Sequence, residues 1–214
     1  LHQSTERTLG RDLDRLLGEL ESEIHEALRA CPQAEAIGIG IPSTIDHRRG
    51  KAISSVNLPI VDVPFRELVE QRLNLPTFLD NDANLAALAE HRFGAAKGAT
   101  NAVLLTIGTG IGGGLVLGGE LYRGSTGAGA ELGHVVIDQA GPPCQGNCPN
   151  RGGVEVLASG TALGREGRIA AETHPGSSLG RALAAGEEMG HLFKVMAATH
   201  SEVPLPYPFT GTTP

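Results

Sequence analysis

The sequence predicts an α/β protein. Apolar runs too short for helices alternate with stretches whose apolar residues recur at helical spacing. Glycine is also concentrated in one stretch where strands and tight turns must meet. Of 214 residues, 30 are glycine, about twice the usual ~7%. Eighteen of these fall between Gly94 and Gly160. Backbone there must turn sharply or approach something closely.

The elements follow in order. Leu13, Leu16, Leu17, Leu20, Ile24, Ala27 and Leu28 predict an amphipathic helix over residues 11–29. "EAIGIGIP" (35–42) reads as a buried strand closed by Pro42. "VPFRELVEQRLN" reads as a helix with Pro64 near its first turn. "LPTFLD" is a short strand, and "ANLAALAEHRFG" is a helix stopped by Gly94. A strand pair follows in "NAVLLTIGTGIGGGLVLGGELYRG" (101–124), then a strand in "HVVID". A Pro/Gly/Cys loop over 140–153 leads to helical segments over 154–171. From His200 onward four prolines and no period predict an irregular tail, 200–214. The chain opens on a polar lead-in to a helix with no strand before it, so both ends read as those of an incomplete domain.

Composition narrows the function. With 17 basic and 24 acidic residues the net charge is −7. That speaks against a general nucleic-acid surface, which needs clustered Lys and Arg. No apolar run approaches the roughly 20 residues of a membrane span, and no leader is evident. The expectation is a soluble cytoplasmic protein without membrane or nucleic-acid partners. Three cysteines, Cys31, Cys144 and Cys148, are too few for a disulfide framework.

Gly108, Gly110 and Gly113 have the G-x-G-x-x-G spacing of a dinucleotide fingerprint. That fingerprint requires a helix to open at the glycines. The apolar–polar alternation and Gly-Gly pairs that follow are hairpin chemistry instead. Two readings stay open for a loop between strands. Successive N–H groups, with the Thr109 hydroxyl, form an anion nest, or the loop is a bare glycine hairpin.

"FLDNDANLAALAE" places Asp80, Asn81 and Asp82 between a strand end and a helix start. One such residue suffices as an N-cap; three exceed what capping needs. The carboxyl edge of a strand is where α/β folds place ligands, and a carboxylate there serves as general base toward a hydroxyl. "GAGAELGH" sets Glu131 and His134 three apart, and Glu155 lies beyond the cysteine loop. Such groups suit a pocket with fixed acceptors for sugar hydroxyls, or are ordinary surface residues. His134, Cys144 and Cys148 offer three zinc donors, where a closed structural site wants four; a reduced, unligated pair is the other reading.

Taken together these blocks resemble the ROK family (repressor, open reading frame, kinase), most of all its bacterial, actinobacterial-type glucokinases. "LLTIGTGIGGGLVLGGELYRGSTGAGAELGH" is similar to the family signature, "NDANLAALAEHRFGAAKG" and "NRGGVEVLASG" to two further blocks, and "GIGIPSTIDHRRGKAISSVNLP" to the segment before them. The resemblance spans residues 35–186. It implies an actin-like, hexokinase-type (ribonuclease H-like) two-lobed ATPase fold, here incomplete. A small lobe would take residues 1–97 and a large lobe with the sugar site and cysteine loop residues 98–199. It implies ATP-dependent phosphorylation of glucose at the 6-hydroxyl, with ATP and Mg2+ as cofactors, a place in glycolysis, and a homodimer as a further expectation. By family pattern Asp82 is the base, and Asn57, Asn81, Glu131, His134 and Glu155 hold the other hydroxyls. Gly108, Thr109, Gly110, Gly112 and Gly113 face the nucleotide phosphates. His134, Cys144 and Cys148 are zinc ligands.

Three departures from the pattern matter. The family's third zinc cysteine falls at Gly153, which cannot ligate, so zinc is expected weak or absent. Ser43 stands where glycine is common, which predicts a local change at that turn. The acidic, glycine-rich phosphate hairpin that opens family kinases would precede Leu1, and the C-terminal helices are replaced by the tail. The expectation is a fragment with little or no kinase activity of its own. Two other readings stand beside the kinase: the sugar-sensing domain of a ROK-type repressor, and an inactive remnant. Residues 1–34 carry one amphipathic helix and no second recognition-like helix, which disfavours the repressor. N-acetylmannosamine and fructose kinases share the pattern, and polyphosphate is an alternative donor.

Overall fold

The computed structural model describes residues 12–55, 58–145 and 148–185. Asn57 and the tail from His200 lie outside the described residues. The chain forms two compact units. The first takes the chain through Thr106 together with Gly112–Leu132; the second takes Ile107–Ile111 and the chain from Gly133. The lobe boundary expected near residue 97 falls inside the first unit, so the assignment of lobes stays a proposal.

In the first unit, helix α1 (Leu13–Ala30) begins where the Asp12 side chain accepts from the Arg15 N–H at 2.9 Å. Its Leu13, Leu16, Leu17, Leu20 and Ile24 pack on the core, as the spacing predicts. Strand β1 (Ile37–Ile41) buries Ile37, Ile39 and Ile41 and exposes its two glycines. It pairs in parallel with β5 (Thr77–Asn81), from Ile37 opposite Thr77 to Ile41 opposite Asn81. Between them runs an antiparallel meander, β2 (Thr44–Asp46), β3 (Lys51–Ser54) and β4 (Val61–Val63). Helix α2 (Phe65–Leu73) follows Pro64 and ends on Asn74 in the left-handed conformation, φ 51°. Helix α3 (Asp82–Phe93) starts directly from β5 and stops at Gly94. The core is formed by Leu17, the isoleucines of β1, Ile45, Ile60, Phe65, Val69 and Leu79.

The glycine-rich stretch forms a three-stranded sheet ordered β6 (Ala102–Ile107), β7 (Ile111–Leu117) and β8 (Glu120–Leu121). Leu117 pairs with Glu120, so Gly118 and Gly119 make a two-residue turn, with φ 62° and 84°. Positive φ at both positions is what a twisted hairpin of this length requires. No helix opens at Gly108–Gly113, and the dinucleotide reading is excluded on that ground.

In the second unit, α4 (Val154–Ala158), α5 (Gly160–Thr173) and α6 (Ser178–Ala184) follow the cysteine loop. The fully buried Ser159 separates α4 from α5, and its side chain accepts from the Ala162 N–H. The strand expected in "HVVID" does not form. Leu132–His134 is a short 3-10 helix, and Val136 makes a single bridge to Gly153. The N–H groups of Ile137 and Asp138 both go to the Gly152 carbonyl. That converging pattern folds the chain around one residue instead of extending a ladder. Val135, Val136 and Ile137 are all exposed, so the apolar run has no buried face to set a strand. Among the described residues no helix is long and apolar enough to cross a membrane.

Candidate functional site

A pocket in the first unit gathers Asn81, Asp82 and Asn84 from the β5–α3 junction, Gly112 and Gly113 from β7, and Gly127 and Glu131 from the loop after β8. The family pattern singled out five of these. The structure therefore brings together Asn81, Asp82, Gly112, Gly113 and Glu131. Asn84 and Gly127 are additions that sequence reasoning missed. A larger groove beside α3 and β6 is lined mainly by Ala, Val and Leu, and lacks this convergence of polar groups.

The three polar residues at the junction have separate tasks. Asn81 is the N-cap: its Oδ1 accepts from the Ala83 and Asn84 N–H groups at 2.9 and 3.1 Å. Its Nδ2 donates to the Ser43 carbonyl at 3.3 Å. Asp80 is buried, and its carboxylate pairs with Arg123 at 2.7 Å. Asp82 is thereby spared the capping role. It is exposed at the head of α3, and only its Oδ1 meets the Ala83 N–H, at 2.9 Å. Ser43, the departure at the preceding turn, donates its hydroxyl to the Ser54 carbonyl at 2.7 Å and so ties the turn to β3.

The glycines of β7 have a packing reason of their own. A Cβ at Gly112 would come 2.6 Å from Thr106 Oγ1, and one at Gly113 would come 2.6 Å from Leu132 Cγ. A Cβ at Gly114 would collide with Ala87. Bare backbone here lets α3 lie directly on the strand, which brings Asp82 over it.

The second unit holds the hairpin tip, Glu155 and His134. Gly108 donates its N–H to the Gly110 carbonyl at 2.9 Å. The Gly108 and Thr109 carbonyls accept from the Gly160 and Thr161 N–H groups at the start of α5. Glu155 Oε2 accepts from the Ile111 N–H at 2.8 Å, and a Cβ at Gly110 would collide with that oxygen. Glycine at 110 thus makes room for the carboxylate of Glu155, and Oε1 is left as its second acceptor.

His134, Cys144 and Cys148 present ligand atoms that all lie within 4.8 Å of one another. The loop that brings them together is closed by backbone bonds, Cys144 N–H to the Asn150 carbonyl at 2.9 Å and Gly152 N–H to the Pro142 carbonyl at 2.7 Å. A Cβ at Gly153 would lie 3.1 Å from Cys144 Sγ. Among the described residues these three donors could hold a metal ion, one short of the four a closed structural zinc site uses, so the set fits an open zinc site better than a closed one.

Comparison with known proteins places these features in a family. The ROK family pattern matches residues 3–199. A glucokinase of Thermotoga maritima is 43% identical over 155 residues, which cover 72% of this chain and 47% of that protein. A xylose repressor of Caldicellulosiruptor bescii is 35% identical over 159 residues, covering 72% of this chain and 39% of that protein. The crystal structure of a ROK family glucokinase from Streptomyces griseus, in complex with glucose and AMPPNP, superposes with a TM-score of 0.65 at 34% identity. It covers 78% of this chain and 52% of that one. The chain spans less than half the length of both of these curated relatives.

Proposed function

We propose, because this chain belongs to the ROK family and carries part of its hexokinase-type, actin-like α/β fold, that it holds the hexose site of an ATP-dependent sugar kinase. Glucose is the first candidate substrate, phosphorylated at its 6-hydroxyl. One observation carries the reading: Asp82 stands at the head of α3, on a pocket shared with Glu131, while Asn81 performs the capping that would otherwise occupy it.

Phosphoryl transfer needs in-line positioning and charge neutralisation more than covalent chemistry. Asp82 orients the attacking hydroxyl through its carboxylate and accepts the proton as the bond to phosphorus forms. Glu131 and the Asn81 amide fix the ring by neighbouring hydroxyls. His134 and Glu155 are assigned further hydroxyls, Glu155 through Oε1. The Thr109 hydroxyl and the N–H groups of Thr109 and Gly110 are donors toward phosphate oxygens, since the Gly108 N–H is used within the tip. Mg2+, when bound with ATP, supplies the remaining charge neutralisation.

The support is the AMPPNP and glucose bound by the Streptomyces griseus relative, together with the resemblance of four ordered sequence blocks to the family pattern. The xylose repressor relative favours a second reading, a sugar-sensing domain with no transfer. Two measurements on the 214-residue chain separate them: sugar-dependent thermal stabilisation across a hexose and pentose panel, and phosphoryl transfer with ATP and Mg2+. The kinase reading expects stabilisation by a hexose and residual transfer. Asp82→Asn keeps the stabilisation and loses transfer by about 10²–10⁴-fold. Transfer that persists in Asp82→Asn removes the base assignment. Stabilisation by a pentose in preference to a hexose, with no transfer in the unaltered chain, favours the sensor.

A further inference from the structure

We propose that Arg123 is a positioning residue for the hexose pocket, tying its two polar walls together through Asp80 on one side and the 124–131 loop on the other. This rests on the hexose reading of the pocket above, but its geometry is independent of any ligand.

One wall is the β5–α3 junction. Asp80 spends both carboxylate oxygens there. Oδ2 takes the Arg123 Nε at 2.7 Å. Oδ1 takes the Asn81 N–H at 2.9 Å and Asn84 Nδ2 at 3.1 Å. These partners flank Asp82 in sequence, so the orientation of the Asp80 carboxylate sets the backbone that carries Asp82. The Asp80 side chain is 5% exposed and that of Arg123 30%. A charge so deeply buried depends on a fixed counter-charge and full hydrogen bonding.

The other wall is the loop after β8. The Arg123 carbonyl accepts from the Gly129 N–H at 3.0 Å and closes the loop at its base. The closure admits no side chain: a Cβ at Gly129 would sit 2.5 Å from Gly124 N. Within the loop, Gly127 has φ 87° and a Cβ there would collide with the Ile45 carbonyl. The loop then delivers Ala130 and Glu131 to the pocket. Arg123 therefore grips one wall with its side chain and the other with its backbone. Moving its guanidinium changes the spacing between Asp82 and Glu131, the distance a hexose must bridge. Arg123 touches no reacting atom in this account.

The test uses the full 214-residue chain, D-glucose titrations by calorimetry, and amide hydrogen exchange of the ligand-free protein. The variants are Arg123→Met, Arg123→Lys and the double change Asp80→Asn with Arg123→Met. The double change removes the buried charge and keeps a side chain that accepts from the Asn81 N–H. Arg123→Met is expected to speed exchange across 124–131 at least tenfold and to weaken glucose at least tenfold. Arg123→Lys, which still offers one charged donor, recovers most of both. The double variant regains the melting temperature but keeps fast loop exchange and weak glucose binding. Recovery of glucose affinity and loop protection along with melting temperature in the double variant means Arg123 only stabilises, and overturns the proposal. So does unchanged exchange over 124–131 in Arg123→Met. Should the unaltered chain take up no glucose, the hexose reading fails by itself, and the exchange comparison alone decides the coupling.

Discussion

The two units hold their polar residues by different physics. In the first, Asp80, Asn81 and Asp82 sit at the end of a strand that buries its own Leu79 and pairs with the strand of Ile37, Ile39 and Ile41, all buried. Large aliphatic side chains fix the backbone, and a buried ion pair fixes the carboxylate. In the second, the buried apolar residues among those described are Ile111, Val156, Ala162, Ala171 and Ala182. Four of the five belong to helices after the cysteine loop, and the loop itself hangs on backbone hydrogen bonds. The difference teaches where a ligand can contribute to folding. A site backed by a core is formed before anything binds, whereas a loop without one depends on what its side chains hold.

The largest expected effect is on the core behind the pocket. Leu79→Ala removes a side chain that is 1% exposed and is expected to cost about 2–5 kcal/mol, read by denaturant unfolding. A cost below about 1 kcal/mol would break the comparison from the first unit's side. Next comes the missing ligand. Gly153→Cys adds a thiol beside Cys144 Sγ and is expected to raise zinc affinity at least about 100-fold, since even an outer partner of a ligand changes affinity about 10–100-fold. Competition with a chromophoric chelator reads it, and zinc bound by the unaltered chain as tightly as by the variant would show that another donor already fills the fourth position. A smaller effect attaches to the helix cap. Asn81→Ala is expected to cost about 1 kcal/mol and to weaken hexose-dependent stabilisation together with it. The smallest belongs to the exposed pair Lys51–Asp62, at 2.8 Å with side chains 30% and 64% exposed. Lys51→Ala is expected to change stability by less than about 1 kcal/mol, against the buried Asp80–Arg123 pair, where loss of one partner costs about 3–5 kcal/mol.

Sequence reading served best where local signals agree. The α1 face from Leu13 to Ile24, the Pro64 entry to α2 and the Gly94 stop of α3 are each set by period or by a breaking residue, and each lies where expected. The Gly118–Gly119 turn is local in the same sense. It failed at "HVVID", where an apolar run found no face to bury. The β2–β3–β4 meander was not foreseen, because its strands are three or four residues long and a register shift after Thr44 breaks the alternation. Within the pocket, the ordered blocks pointed to Asn81, Asp82 and Glu131. The division of labour at the junction was not legible, since three adjacent polar residues have the same capping chemistry.

What the sequence by itself determined is the alternation of strand and helix, the hairpin at the glycine run, and the polar, glycine and cysteine residues available to the pocket and the loop. These depend on neighbours within a few positions along the chain. Only the tertiary structure decided that Asn81 caps, that Asp80 is buried against Arg123, that Glu155 holds the Ile111 amide, and that Gly153 lies beside Cys144. Each of those joins residues or groups whose meeting is fixed by packing and by the satisfaction of buried charge, and neither is encoded in local spacing.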